Sequence, residues 1–204
     1  MALAAPIFPR ANIEVLARAQ LPTRFGVFQV VSFVRGDRPF DDVAILNGPV
    51  SAAATAQARI HSECLTGDAL GSTRCDCRDQ LELSLDRLAR VSGSVLLYLR
   101  QEGRGIGIAK KVEAYSLQDA GLDTVEANLH LGFDDDLRSY GNAAGMLLAL
   151  GIGDVELHTN NPRKVFGLAE HGIKVHSRVP LVTEVRAENL RYLAVKRSKS
   201  GHLL

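Results

Sequence analysis

Residues 94–119 read Ser94-Val-Leu-Leu-Tyr-Leu99, then Arg100-Gln-Glu-Gly-Arg-Gly-Ile-Gly107, then Ile108-Ala-Lys-Lys-Val-Glu-Ala-Tyr-Ser-Leu-Gln-Asp119. The first six residues are a short, nearly unbroken apolar run, which predicts a strand covered on both faces. The glycine-rich turn after it opens a predicted helix over 106–119. Strand, turn and helix in that order indicate an α/β layer in which backbone N–H groups and a helix N-terminus could converge on a phosphate, a flexible strand–helix turn being the bland alternative. The glycines are spaced G-x-G-x-G, with neither the Gly-Lys-Ser/Thr of a P-loop nor the spacing of a dinucleotide fingerprint, so both labels are rejected.

Downstream, the pattern predicts a helix over 138–150 ending at Gly151 and a strand at Val155–His158. A helix over 162–170 stopped by Gly172, a strand at Lys174–Val179 and a last helix over about 188–198 follow. Upstream, Leu81, Leu85 and Leu88 at helical spacing, widened by Leu83 and Ala89, predict a helix from Asp79 to near Gly93. Before it the chain reads as antiparallel strands: Phe25–Val34, then Asp42–Leu46 closed by Asn47-Gly48, a dipeptide that favours a tight hairpin turn. Ser51–Ala58 is rich in Ala and Thr and ambiguous, and it feeds a strand at Ala58–His61. Residues 1–20 read as a lead-in with a short helix over Ile13–Ala19, punctuated by Leu21-Pro22. The predicted class is therefore mixed α/β (α+β): an N-terminal antiparallel strand region, then an alternating strand/helix layer with a mixed sheet and right-handed crossovers. One domain is expected, with a lead-in over 1–20, a strand-rich part over 21–100 and an α/β part over 101–204.

With 204 residues, 24 Lys+Arg against 23 Asp+Glu and 46% apolar residues, the chain can bury an ordinary core without disulfide staples. A net charge of +1 excludes a general polyanion binder, so any nucleotide site must gather its positive charge locally. The absence of Trp and the 5% aromatic content exclude a stacking platform for single strands. Three cysteines, odd in number and within fourteen residues, argue for a reducing compartment. Met1–Pro9 lacks the basic start of a signal peptide, and no stretch is long and apolar enough for a membrane span. A cytoplasmic protein without membrane or nucleic-acid-polymer partners is expected.

Cys64, Cys75 and Cys77 supply thiolates, which suit zinc. Three protein ligands leave a position open for water and lean catalytic, whereas His61, three residues before Cys64, would close a structural site; three buried apolar cysteines is the bland alternative. Three thiolates on Zn²⁺ carry a formal charge of −1, which weakens Lewis acidity and calls for a nearby carboxylate base. Glu63 and the run Asp134-Asp135-Asp136 are candidates, the run reading otherwise as a solvated loop before a helix. In Thr159-Asn160-Asn161-Pro162-Arg163-Lys164, Asn161 reads as an N-cap and Pro162 as the first helical residue, with Lys164 suited to an anion at that terminus. Arg59, Arg104, Lys110, Lys111, Arg138, Arg163 and Lys164 permit a polyphosphate site. Arg191, Lys196, Arg197 and Lys199 read as a solvated basic end of the last helix.

Taken together, Arg59-Ile-His-Ser-Glu-Cys-Leu-Thr-Gly-Asp68, Arg74-Cys-Asp-Cys77, Arg100-Gln-Glu-Gly-Arg104, Asp123-Thr-Val-Glu-Ala-Asn128, Thr159-Asn-Asn-Pro162 and Gly201-His-Leu-Leu204 closely resemble the GTP cyclohydrolase II family. The likeness runs from about 58 to 181 and at the C-terminus, and is weaker over 1–57. It implies zinc-dependent hydrolysis of GTP to formate, pyrophosphate and 2,5-diamino-6-ribosylamino-4(3H)-pyrimidinone 5′-phosphate, the first step of riboflavin synthesis, with Mg²⁺ on the triphosphate. It implies Cys64, Cys75 and Cys77 as zinc ligands, the metal making the nucleophile that attacks C8 of the base. Arg59, Ile60, His61, Ser62, Glu63, Gln80, Glu102, Gly103, Arg104, Thr124, Thr159 and Lys164 match nucleotide-binding positions. Glu102 suits paired N–H donors from guanine. Asp136 falls at the proton-acceptor position, Arg138 at the position proposed to attack the α-phosphorus, and Tyr115 at the active-site tyrosine. An arginine is easier to accept as a stabiliser of the phosphoryl transition state than as a nucleophile. The resemblance also implies a homodimer and a monofunctional chain without the dihydroxybutanone-phosphate synthase often fused to this family. Two alternatives stay open: a variant that retains the formyl group, and a zinc- or nucleotide-sensing protein without turnover.

Overall fold

The computed structural model describes residues 12–50, 55–198 and 201–203. Its strands are β1 (Ile13–Thr23), β2 (Gly26–Arg35), β3 (Arg38–Asn47), β4 (Ala56–Ser62), β5 (Ser94–Leu99), β6 (Asp154–His158) and β7 (Lys174–Val179). The helices are α1 (Cys77–Ala89), α2 (Gly107–Asp119), α3 (Thr124–His130), α4 (Gly141–Ala149), α5 (Pro162–Glu170) and α6 (Ala187–Ser198). One mixed sheet runs in the order β1-β2-β3-β5-β4-β6-β7. The pairs β1·β2, β2·β3 and β3·β5 are antiparallel, whereas β5·β4, β4·β6 and β6·β7 are parallel. The antiparallel region followed by an α/β layer is the predicted class.

The expected helix over Ile13–Ala19 is a strand. β1 pairs with β2 from Ile13↔Arg35 to Thr23↔Gly26, and this long-range ladder outweighs the helix propensity of its Ala, Leu and Arg residues, which cannot hold so short an isolated helix. Pro22 fits because β1 is an edge strand, where a missing donor costs no ladder bond. The rest of the predicted lead-in, residues 1–11, lies outside the described residues, as do residues 51–54 of the ambiguous Ala-rich stretch.

The Asn47-Gly48 hairpin is also corrected. The two-residue turns lie at Arg24-Phe25 and Gly36-Asp37, between Thr23↔Gly26 and Arg35↔Arg38. Asn47 instead pairs with Ser94 of β5. Its amide donates to the carbonyls of Leu88, Ala89 and Val91 at 3.0, 2.9 and 3.1 Å, satisfying orphan carbonyls at the end of α1. A side chain that caps a helix distant in sequence mimics a turn signal.

β5 lies centrally, with every residue buried except the half-buried Tyr98, as its apolar run requires. Because β4 and β5 are parallel, with Ser62 beside Leu99, and β6 is parallel to β4, the chain leaves all three strands at one sheet edge. Residues 63–64, 100–104 and 159–164 gather there, at the carboxyl ends where open α/β sheets bind ligands. α5 starts as read, the Asn161 side chain accepting from Arg163 N at 2.9 Å with Pro162 following. α4 starts at Gly141, three residues later than predicted, which leaves the Asp134–Asp136 run in an irregular loop.

Candidate active site

The turn after β4 is a single π-helical turn, Leu65–Ala69, held by one carboxylate. Asp68 accepts from Cys64 N at 3.0 Å, from Tyr98 Oη at 2.9 Å and lies 3.0 Å from His61 Nε2. His61 is therefore turned to Asp68, and the group of potential metal ligands found among the described residues is Cys64, Cys75 and Cys77 without it. Burial pushes the His61 pKa down, so it stays neutral near pH 7.

The three sulfurs lie within 4.8 Å of one another, and Cys64 Sγ and Cys75 Sγ are 3.7 Å apart. A tetrahedral zinc with bonds of about 2.3 Å needs sulfurs roughly 3.8 Å apart, so the donor set fits zinc. Gly67 packs directly on the trio: a Cβ there would lie 3.0 Å from Cys75 Sγ, 3.1 Å from Cys64 Sγ and 3.3 Å from Cys77 Cβ. Hydrogen bonds from Cys75 and Cys77, with Lys111 adding, pull the Cys64 thiol down, while the bond to Cys64 raises Cys75 to about 11 and Cys77 above the usual thiol range.

Glu102 and Lys111 flank the sulfurs. Lys111 Nζ lies 3.1 Å from Cys64 Sγ and 2.6 Å from Glu102 Oε1. Glu102 also accepts from Gly103 N at 2.7 Å and, through Oε2, from Leu65 N at 2.6 Å. The carboxylate expected to read guanine is thus committed largely to locking the metal loop against the glycine-rich turn. That turn carries Gly103 and Arg104 in left-handed conformation, with Arg104 at φ 62°. A non-glycine residue there is strained and points to a functional constraint. Arg104 carbonyl and guanidinium tie to the acidic loop through Leu137 N at 3.0 Å and the Asp135 carbonyl at 3.2 Å. Tyr115 reaches the metal loop, its hydroxyl 3.2 Å from Thr66 Oγ1, and burial raises its pKa.

A cavity of about 490 Å³ opens beside the trio. Arg59, His61, Ser62, Glu63, Gln80, Glu102, Gly103, Arg104, Tyr115, Thr124, Arg138 and Lys164 all line it with the three cysteines. Ile60, Thr159 and Asp136 do not appear in the lining. Ile60 is fully buried in the core, and the Thr159 hydroxyl accepts from Asn161 N at 3.0 Å. Asp136 lies behind Arg138, accepting from its Nε at 2.8 Å and its terminal nitrogen at 2.6 Å. Against the burial that opposes ionisation, Arg138 holds Asp136 below the usual carboxylate range, and Asp136 holds Arg138 above the usual guanidinium value. Glu63 is likewise paired, with Arg100 Nε at 2.8 Å.

Of the basic residues weighed for a polyphosphate site, Arg59, Arg104, Lys111, Arg138 and Lys164 face the cavity, whereas Lys110 pairs with Glu113 and Arg163 with Asp135. Lys164 is the least compensated: its ammonium donates to the Ile60 carbonyl at 2.8 Å, and burial with Arg59 and Arg138 nearby pushes its pKa well down. Arg59 donates to the His158 carbonyl at 2.9 Å and to Gln80 Oε1 at 2.8 Å, and its buried Nε has no partner among the described residues. Burial lowers its pKa to about 10. Such a group of desolvated cations binds anions strongly.

Two contributions are absent from the sequence reading. α3 orients the Thr124 wall through a capping box, Asp123 accepting from Val125 N and Glu126 N while Glu126 accepts from Asp123 N. The spacing Asp123-x-x-Glu126 carries that signal. The basic end of α6 is not simply solvated. Lys196 is buried and donates to Asp76, between two of the cysteines, at 2.6 Å. Arg197 is exposed as read, while the Arg191 side chain and Lys199 lie outside the described residues.

The family model for GTP cyclohydrolase II matches residues 14–180. A GTP cyclohydrolase-2 of Azotobacter vinelandii is 52% identical over 95% of this chain and 93% of that one. A GTP cyclohydrolase-2 of Tolumonas auensis is 50% identical over 95% of this chain and 98% of that one. The riboflavin biosynthesis protein RibBA of Bacillus subtilis is 48% identical over 96% of this chain and 50% of that one. Among solved structures, a two-domain 3,4-dihydroxy-2-butanone 4-phosphate synthase from A. baumannii aligns over 85% of this chain and 41% of that one, at 18% identity and a TM-score of 0.44. With a family match across most of the chain and relatives about half identical over nearly all of it, this protein belongs to the GTP cyclohydrolase II family of hydrolases.

Proposed function

We propose that this chain hydrolyses GTP to formate, pyrophosphate and 2,5-diamino-6-ribosylamino-4(3H)-pyrimidinone 5′-phosphate, opening riboflavin biosynthesis, with zinc held by Cys64, Cys75 and Cys77 and Mg²⁺ on the triphosphate. The observation that carries this reading is the three-sulfur cluster in the wall of the same cavity as Arg59, Arg104, Arg138 and Lys164. When bound, zinc supplies the Lewis acidity that makes water a nucleophile near neutral pH.

The residues around it divide the remaining work. Lys111 offsets negative charge on the thiolates, Glu102 holds the metal loop to the glycine-rich turn, and Tyr115 Oη stands at Thr66 to orient the reacting ring. Arg59 and Lys164 meet phosphate charge. Arg138, kept protonated by Asp136, stabilises the phosphoryl transition state, since a guanidinium so held has no lone pair for attack on phosphorus. Asp136 serves first as the ion-pair partner that fixes this guanidinium. Thr124 and Gln80 bound the nucleoside side of the cavity, Gln80 steadied by Arg59 and Asp76. A homodimer, a single domain and a cytoplasmic location belong to the same reading.

Incubation of the purified protein with GTP, Zn²⁺ and Mg²⁺, followed by mass spectrometry of the nucleotide and separate formate and pyrophosphate assays, tests it. Both leaving groups with the diaminopyrimidinone monophosphate are expected. A product 28 mass units heavier selects a formyl-retaining variant, and unchanged GTP on the zinc-loaded protein overturns the hydrolase reading.

A further inference from the structure

The C-terminal Gly201-His202-Leu203 segment folds back onto the cavity, although no step above uses it. Leu203 N donates to the Asn160 carbonyl at 2.9 Å and His202 N to the Lys196 carbonyl at 3.0 Å, pinning the segment between the end of β6 and α6. Gly201, just before His202, has φ 65°, a conformation that favours glycine. His202 consequently lines the cavity, and its buried Nδ1 has no hydrogen-bond partner among the described residues. The ring lies within electrostatic reach of Lys196, Arg138, Lys164 and Arg104. Asp76 is engaged by Lys196 and Asp136 by Arg138, while Glu188 and Tyr192 of α6 also line the cavity. A half-buried imidazole with one buried, unused nitrogen, surrounded by cations, is a poor structural element and a good anion contact.

We propose that His202 is a phosphate-binding residue, its imidazole donating a hydrogen bond to a phosphate oxygen of the bound nucleotide; this rests on the nucleotide reading above. In the ligand-free protein, burial and the four cations push its pKa down to about 3, so the ring is neutral. A polyphosphate reverses that field, the ring gains a proton, and a charge-assisted hydrogen bond forms. Binding therefore takes up a proton at this residue.

Calorimetric titration of the zinc-loaded protein in two buffers of different ionisation enthalpy reads both affinity and proton uptake. The probes are guanosine 5′-[α,β-methylene]triphosphate, inorganic tripolyphosphate and guanosine. The proposal expects His202→Gln to weaken both polyphosphates roughly 10- to 100-fold, to remove most of the proton uptake, and to leave guanosine affinity and zinc content unchanged. Equal polyphosphate affinity and equal uptake in His202→Gln and the wild type overturn it. Tripolyphosphate bound with His202-dependent uptake, but no guanosine probe bound, sinks the GTP reading and leaves His202 as an anion contact. Failure of wild type to bind either polyphosphate overturns both. His202→Asn, smaller and also unable to carry the charge, must behave like His202→Gln; wild-type uptake in that variant contradicts the assignment.

Discussion

The ammonium of Lys111 lies 3.1 Å from the sulfur of Cys64, and the same nitrogen is 2.6 Å from Glu102 Oε1. One buried cation thus stands against both a metal-ligating atom and the carboxylate that locks the metal loop. Partners of this kind around a metal typically alter affinity 10- to 100-fold. Lys111→Met keeps an unbranched side chain but removes the charge, so zinc affinity is expected to fall by roughly that factor. Competition against a chromophoric chelator measures it, and undiminished affinity would mark the contact as incidental.

Gly67 offers a steric counterpart. The Cβ of Gly67→Ala would press on Cys75 Sγ at 3.0 Å and Cys64 Sγ at 3.1 Å. Its backbone φ is not in the left-handed region, so the effect comes from crowding of the sulfurs and not from strain. Metal content per chain after dialysis is expected to drop while the far-ultraviolet dichroism stays unchanged. Full metal retention in Gly67→Ala would show that the sulfurs can spread without loss.

Asp136 gives a pH signature. Burial opposes ionisation, but the Arg138 hydrogen bonds win and lower its folded pKa relative to the unfolded value near 3.9. Its contribution is therefore present above about pH 4 and drains away as pH falls through the lower folded value. Urea unfolding between pH 2 and 6 should show an acid-side loss that Asp136→Asn reduces. Arg138→Lys keeps charge but not the two-pronged geometry, and pyrophosphate release is expected to slow by roughly 10². Normal release would remove Arg138 from the mechanism.

Lys164 should show opposed effects on stability and binding. Its ammonium has a backbone carbonyl as partner and a folded pKa well below its unfolded value. The folded state then binds fewer protons than the unfolded one across the window between those values, so ligand-free stability rises with pH there. Lys164→Met is expected to flatten that slope and to raise Tm at neutral pH, while abolishing most of the stabilisation that tripolyphosphate gives the wild type. Scanning calorimetry with and without the anion decides it, and a lower Tm for the ligand-free variant would contradict the account.

Much of this was legible residue by residue. The apolar run of β5, the Asn161-Pro162 start of α5 and the Leu81/Leu85/Leu88 face of α1 are local patterns, and local patterns report local structure. The errors fell where a distant partner decided the outcome. β1 needs β2 to be a strand, Asn47 needs the end of α1 to be something other than a hairpin turn, and Lys196 needs Asp76 to be buried rather than solvated. Arg163 and Lys164 are neighbours in sequence, yet one pairs with Asp135 at the surface and the other enters the cavity, because a helical step rotates successive side chains by about 100°.

By itself, the amino-acid sequence determined the mixed α/β class, the order of most elements, the family, and the three thiols as a donor set, because composition, periodicity and spaced motifs are properties of the linear chain. Only the tertiary structure decided that His61 turns to Asp68 rather than to the cysteines, that Glu102 is engaged by Lys111 and the metal loop, and that His202 returns to a cavity more than a hundred residues away in sequence from the metal loop. Those outcomes turn on which buried polar groups find partners. Burial makes an unpartnered charge costly enough that the surrounding fold, and not the residue type, assigns each side chain its role.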